Sequence, residues 1–241
     1  MSLIGKTVLI TGAALRIGRS LALAVAQAGG DVVIHYGKSR KEAESLREEI
    51  EAAGRKAFIL PADLADPVQA AGLISRAREH APLFALINNA SIFEPLGWED
   101  TSLEQWNLAM MVNLTAPFLL SQAFARSLEP DGQGRIVNLI DWRALRPGPD
   151  HLPYTISNSA LAALTHSLAI ALAPHITVNA LALGAILAPD NGAPPKINLE
   201  QIPAHRWANL DEVGQALVFL LDGPAYITGE IMHVDGGRHL V

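Results

Sequence analysis

The sequence predicts an α/β fold, a doubly wound seven-stranded parallel sheet in a single domain over residues 1–241. Three observations carry this. Short continuous apolar runs alternate with runs of helical periodicity, the pattern of a parallel sheet covered on both faces. A turn with two glycines lies between the first such strand and the first helix. The composition, 50% hydrophobic with 17% charged residues, supplies apolar material for the core of one large domain.

The chain opens MSLIGKTVLITG, which lacks the basic start and long apolar run of a signal peptide. Its apolar part gives the first strand, Val8–Thr11. Further strands are expected at Asp31–Tyr36, Ala57–Leu60, Phe84–Asn88, Arg135–Ile140, Ile176–Leu181 and Ile231–Val234. Helical patterns fill 15–28, 40–53, 67–80, 103–128, 154–173 and 211–221. Residues 151–189 contain no Asp, Glu, Lys or Arg, yet Asn158, His166, Pro174, His175 and Asn179 interrupt the stretch. Its uninterrupted apolar pieces fall short of the roughly 20 residues of a membrane span. A helix buried on more than one side is therefore expected, with a strand after Pro174. The Pro-, Asn- and Gly-rich segment 184–207 shows no clear periodicity and is expected to form a substrate lid.

Charge and composition narrow the function. A net charge of −6 argues against a broad nucleic-acid or anionic-membrane surface. With no cysteine there is no disulfide, thiolate metal site or catalytic thiol, and the acidic, cysteine-free chain suits the cytoplasm. The histidines show no spacing for a metal site, and His166 is expected to be packed or interfacial. Trp98, Trp106, Trp142 and Trp207 are expected in the core or pocket wall. The five lysines, Lys6, Lys38, Lys41, Lys56 and Lys196, leave none across 57–195, so a mechanism needing a central amine is in difficulty.

The turn Thr11-Gly12-Ala13-Ala14-Leu15-Arg16-Ile17-Gly18 precedes the helical run Leu21–Ala28. Glycines at the strand end and helix start let backbone N–H groups and the helix dipole approach a pyrophosphate. After the second strand, where an acid would bind a ribose 2′-hydroxyl, the sequence instead has Lys38, Ser39 and Arg40. These donors favour NADP(H) over NAD(H).

These motifs, with Asp63-Leu64, Asn88-Asn89-Ala90-Ser91, Asn113, Tyr154, Tyr226-Ile227-Thr228-Gly229 and Val234-Asp235-Gly236-Gly237, make the whole chain resemble the short-chain dehydrogenase/reductase family. Within it, Arg16, His35-Tyr36 before Lys38-Ser39, Ser91, Phe93 and Asp141 are similar to the pteridine reductases. The resemblance implies a Rossmann-type domain binding NADPH. The cofactor set would comprise Gly12, Arg16, Ile17, Gly18, His35, Lys38, Ser39, Asp63, Leu64, Asn89, Ala90, Ser91, Asn113, Tyr154, Asn158, Gly184 and Ile186. Arg16, Ser91, Phe93, Asp141 and Tyr154 would hold the small-molecule substrate. It also implies a homo-oligomer, dimer or tetramer, built on the apolar 103–128 and 154–173 helices.

The family's Tyr-x-x-x-Lys pattern stands here as Tyr154-Thr155-Ile156-Ser157-Asn158, with asparagine for lysine. Asn158 keeps hydrogen-bonding capacity without the charge that lowers the tyrosine pKa. Reduction needs a protonated donor, so Tyr154 with Asp141, and Asn158 beside them, form the expected catalytic group. The expected activity is hydride transfer from NADPH to a dihydropterin-like substrate. Two alternatives stay open: an NADP(H)-binding homologue with little turnover, and a carbonyl reductase acting on a non-pterin substrate.

Overall fold

A computed structural model describes residues 2–187 and 198–241. Its seven strands are β1 (Thr7–Ile10), β2 (Asp31–Tyr36), β3 (Ala57–Pro61), β4 (Ala85–Asn88), β5 (Gly134–Asp141), β6 (Ile176–Leu183) and β7 (Ile231–Val234). They form one sheet in the order β3-β2-β1-β4-β5-β6-β7, and every pairing is parallel. Within β1, Val8 and Ile10 enter one hydrophobic cluster and Leu9 the other. Period-2 alternation thus feeds two cores, one on each face. Helices α1 (Arg16–Gln27), α2 (Arg40–Ala52) and α7 (Leu210–Asp222) contribute Leu21, Leu46 and Leu217 to the first. Helix α3 (Pro67–Arg78), α5 (Ala116–Ser127) and α6 (Leu152–Leu172) contribute Leu73, Phe124 and Ala169 to the second.

The order reverses between β1 and β4, so the loops after these strands diverge and leave a crevice at the carboxyl ends. That places Thr11–Leu15 beside Asn89–Ser91. The two β1–β4 loops are tied together: the Thr11 hydroxyl accepts from Asn89 N–H (2.9 Å) and Ala90 N–H (3.0 Å). Asn89 Nδ2 returns bonds to the Thr11 and Gly12 carbonyls at 2.8 and 3.2 Å.

The continuous helix expected over 103–128 is divided. Helix α4 (Leu103–Met110) meets α5 through a π-helical turn, Met111–Thr115. This wider turn holds buried Asn113, whose Oδ1 accepts from Ile92 N–H (2.8 Å) while Nδ2 donates to Ile92 O (3.0 Å) and Ser157 Oγ (3.1 Å). Both ends of one amide clamp the β4 loop and α6, the functional use such turns often have. One expectation about an aromatic side chain needs correcting: Trp98 is 77% exposed, on the loop before α4. His166 projects from the exposed side of α6. The 184–207 segment lies partly outside the described residues; its described portions follow β6 directly and include the short 3-10 turn Leu199–Gln201.

Helices α4–α5 and α6 include stretches long and apolar enough to cross a membrane by length and composition. Here α5 and α6 pack against the sheet and α4 against α6, with Leu120, Phe124 and Leu161 buried. Ile170, 82% exposed, and Phe118 remain on their outer sides.

Candidate active site

The glycine turn is shaped for close approach. Gly12 has φ +61°, and a Cβ on Gly18 would lie 2.1 Å from Gly12 O and 2.7 Å from Asn89 Nδ2. Leu15 caps α1 without a side-chain hydrogen bond, and no acid occupies the first helical turn. The N-terminal amides of α1 therefore face the crevice without a side-chain cap, the arrangement that suits a pyrophosphate. Arg16 itself sits at φ +53°, the left-handed region where a non-glycine residue carries strain of about 1–3 kcal/mol. Ile17 is half-buried against the first core.

His35 lies under this turn. It is 2% exposed, Gly12 N–H donates to its Nδ1 at 3.0 Å, and its Nε2–H donates to Ala62 O at 3.1 Å. Both ring nitrogens are used, which fixes the neutral Nε2–H tautomer. The ring thereby braces the phosphate turn against β2 and β3. Burial lowers its pKa from 6.5 to about 4, with the Arg76 charge adding to the effect and the bond to Ala62 opposing it. The folded-state pKa lies below the unfolded one, so stability is intact above pH 6.5 and falls as pH drops toward 4. Urea titrations should show a loss of about 3 kcal/mol across that window, reduced in His35→Gln. An identical pH slope in both proteins would contradict the assignment.

The adenine and ribose side of the expected set is spread along the neighbouring loops. Lys38 is exposed, and Ser39 begins α2 without using its hydroxyl as a cap. Asp63 accepts from Ala65 N–H at 2.9 Å, and Leu64 is buried in the second core. Ala90 is half-buried in the β4 loop. At the other side, Gly184 has no room for a side chain, since a Cβ would lie 2.6 Å from Asp235 Cα. The Ile186 side chain is buried in the first core, so only its backbone is open to a nucleotide.

The remaining residues converge at the end of β5 and the start of α6. Burial raises the Tyr154 phenol well above its ordinary pKa, and Asp141 raises it further through charge and hydrogen bonding; the Arg143 charge pulls the other way. Asp141 is itself raised by burial, against the opposing bonds and charge of Arg143 and the charge of Arg238. Arg143 N–H donates to Asp141 Oδ1 at 2.9 Å, and its guanidinium lies 3.5 Å from the same oxygen. The phenol is thus held protonated beside a carboxyl whose proton is retained to higher pH than usual.

Asn158 is 3% exposed and ties this pair together. Its Nδ2 donates to Tyr154 O at 3.0 Å and its Oδ1 accepts from Asp141 N–H at 3.0 Å. The amide joins the first turn of α6 to the end of β5 and so positions Tyr154 and Asp141 relative to one another. Above it, Ser91 Oγ donates to Asn113 Oδ1 at 3.2 Å. Phe93, 54% exposed, stands edge-on to Tyr154 with ring centroids 4.7 Å apart.

Three residues outside the expected set complete the surroundings. His151 stacks on Phe93 at 4.0 Å and donates from Nδ1 to Glu94 O at 2.8 Å, pinning the Phe93 loop to the start of α6. Its place three residues before Tyr154 is the signal that finds it. Arg143 follows Asp141 by two positions. Arg238, just after the Gly236-Gly237 pair, lies over Trp142. A groove of about 750 Å³ between α1 and α7 includes Arg16, but none of Tyr154, Asp141 or Phe93 lines it.

Comparison with known proteins adds a family match. A family model described as enoyl-(acyl carrier protein) reductase matches residues 12–239. The chain is 32% identical over 246 residues to gluconate 5-dehydrogenase from Gluconobacter oxydans, covering 98% of this chain and 95% of that protein. Among solved structures, FolM alternative dihydrofolate reductase 1 from Brucella canis, complexed with NADP, is 33% identical with a TM-score of 0.92. That match covers 100% of this chain and 97% of the other. A short-chain dehydrogenase from Burkholderia cenocepacia in complex with NADP is 34% identical, with a TM-score of 0.92 and 99% coverage of both chains.

Proposed function

The chain belongs to the short-chain dehydrogenase/reductase family, and from that premise we propose that it is an NADPH-dependent reductase acting on a dihydropterin or a related planar small molecule. The convergence of a protonated Tyr154, Asp141 and the Phe93 ring at one place carries the reading. The FolM likeness, at 33% identity over the whole chain, supports a pterin-type substrate.

The residues present fit a nicotinamide nucleotide. Its pyrophosphate suits the α1 amides between Gly12 and Gly18, where any side chain at Gly18 would intrude. Lys38 and Ser39 suit a 2′-phosphate, and Arg16, at the start of α1, would serve the phosphates or the substrate edge. NADPH, when bound, supplies the hydride. Tyr154 donates its phenolic proton to the reduced centre. Asp141 returns a proton to the phenolate, which moves the negative charge from the phenol to the more acidic carboxyl, and is itself reprotonated from solvent. Arg143 supplies positive charge near the phenol, part of what the family's lysine would give. Phe93 provides an aromatic face for a flat substrate, and His151 keeps that face upright.

Asn158 favours a second reading, a cofactor-binding homologue with little turnover. NADPH binding by fluorescence, set beside NADPH consumption with dihydropterin, quinonoid and simple ketone substrates, separates the two. Binding without turnover on any of them removes the reductase reading; turnover indifferent to Phe93→Ala points to a non-pterin carbonyl substrate. Because both ends of the Asn158 amide are engaged, Asn158→Lys should give no gain in turnover. It should lower stability by about 1–3 kcal/mol through the two lost buried bonds. A tenfold gain in turnover, about 1.4 kcal/mol of transition-state stabilisation, would show that the missing amine limits the enzyme.

Self-association through the outer faces of α5 and α6 is part of the same proposal, with Ile170 and Phe118 as covered apolar positions. A monomeric mass in light scattering would refute it. The acidic, cysteine-free composition favours action in the cytoplasm.

A further inference from the structure

The tail after β7 turns sharply through Gly236 (φ +66°) and Gly237 (φ +85°). A Cβ on either would press on Ile202, Ala204 or Pro203 at 3.0–3.2 Å, so the turn is packed against the chain beneath it. It delivers Arg238 onto the face of Trp142, with its guanidinium carbon 4.3 Å from the ring centroid. Arg143 lies over the same indole at 5.4 Å. Trp142 directly follows Asp141, and the charges of both arginines act on that carboxyl.

Three carboxylates act on Arg238 through their charge: Asp141, Asp235 and Asp150. Each is already engaged. Asp235 is buried, accepting from Gly237 N–H at 2.9 Å and from His239 N–H and Nδ1–H at 2.8 Å each. Asp150 pairs with Arg143 at 3.4 Å, and Asp141 accepts from Arg143 N–H. Among the described residues, none lies within ion-pair distance of Arg238. Burial and repulsion from Arg143 outweigh the attraction of the carboxylates, so its charge is under-compensated. An aromatic face on one side leaves the rim of the guanidinium available to an incoming anion.

We propose that Arg238, laid on Trp142 beside Asp141, forms an anion-binding subsite, and that the substrate carries a carboxylate or phosphate on the chain extending from its planar ring. The planar ring rests on the reading given under Proposed function; the anionic group does not. A charge-assisted bond to a partly desolvated guanidinium discriminates strongly between an anionic tail and a neutral one.

The test uses the full chain with NADPH and three substrates: dihydrobiopterin, whose side chain is uncharged, dihydrofolate, and dihydroneopterin monophosphate. Arg238→Met should reduce kcat/KM at least about tenfold on one or both anionic substrates, chiefly through KM. On dihydrobiopterin the loss should be at least about fivefold smaller than on the anionic substrates, and an unchanged Tm certifies that the variant is folded. Arg238→Lys should recover part of the loss, and the two anionic arms tell a carboxylate from a phosphate. Equal losses on all three substrates, or none on the anionic pair, overturn the subsite. If no pterin is turned over at all, the proposed activity fails, and the subsite is judged by quenching of tryptophan fluorescence. Titration of the NADPH complex with p-aminobenzoylglutamate and with inorganic phosphate then supports it if saturation by either is lost in Arg238→Met. Titrations alike in both proteins overturn it.

Discussion

Tyr154→Phe is expected to lower kcat/KM for NADPH-driven reduction by about 10²–10⁴, the range for removal of a positioned proton donor. On the free-energy scale this is about 3–5 kcal/mol of transition-state stabilisation. The Kd for NADPH should change by less than about threefold, because phenylalanine keeps the ring and its edge contact with Phe93. The pH profile has a definite sign. Asp141 must be protonated to restore the phenol, and burial holds its pKa above the ordinary carboxylate value. Turnover should therefore fall as pH rises through the Asp141 ionisation, at a pH above that of a free aspartate. Asp141→Asn should remove this limb and slow the reaction at low pH, where the wild-type relay is fully loaded. Retention of wild-type activity by Tyr154→Phe within about threefold would place the proton source in solvent and remove Tyr154 from the donor role.

The parallel α/β architecture was legible because it depends on local patterns. The expected bounds of β2 and β7 coincide with the strands observed, and the other strands differ by one or two residues at one or both ends. Buried parallel strands are continuous apolar runs, and this chain has seven of them. What local pattern cannot express is a wider turn inside an otherwise regular helix. The apolar periodicity of 103–128 runs through Met111–Thr115 without a break, and the extra residue there answers to Ile92 and Ser157, which lie elsewhere in the sequence. The same limit governs the site. His35 reads as a donor beside a phosphate loop, but Gly12 and Ala62, which consume its nitrogens, come from separate loops brought together by the sheet.

Asn158 shows the division most sharply. Its identity and register announce a missing charge from sequence alone. Its use as a tie between Tyr154 O and Asp141 N–H depends on β5 ending beside the first turn of α6. Arg143 and Arg238 were invisible for a related reason. Neither falls in a motif with a spacing rule, and their relation to Asp141 runs through the Trp142 face and the tail after β7. Tertiary geometry, not residue type, converts them from surface charges into part of the site's electrostatics.

Among the described glycines, Gly18→Ala should be the most damaging added methyl. The added carbon would meet the Gly12 carbonyl at 2.1 Å, Asn89 Nδ2 at 2.7 Å and Ala13 Cα at 2.9 Å. Two of these are backbone atoms, and the third belongs to the amide that ties the β1 and β4 loops, so no flexible side chain can swing away. Overpacking of this kind costs about 1–3 kcal/mol, a fall in Tm of roughly 2–4 °C for each kcal/mol in a domain of this size. The functional loss should be larger, because the turn can relieve the clash only by moving the α1 amides away from the pyrophosphate position. NADPH affinity is expected to drop at least about tenfold, the scale of one lost charge-assisted hydrogen bond. Gly72→Ala is the matched control. That position lies inside α3 with nothing within 4 Å of an added Cβ, so the same methyl should stabilise the protein by about 0.5–1 kcal/mol through helix propensity. Opposite signs from the same chemical change separate the steric demand of the turn from any general intolerance of alanine. If Gly18→Ala instead binds NADPH as tightly as the wild type, the α1 turn is not where the pyrophosphate rests.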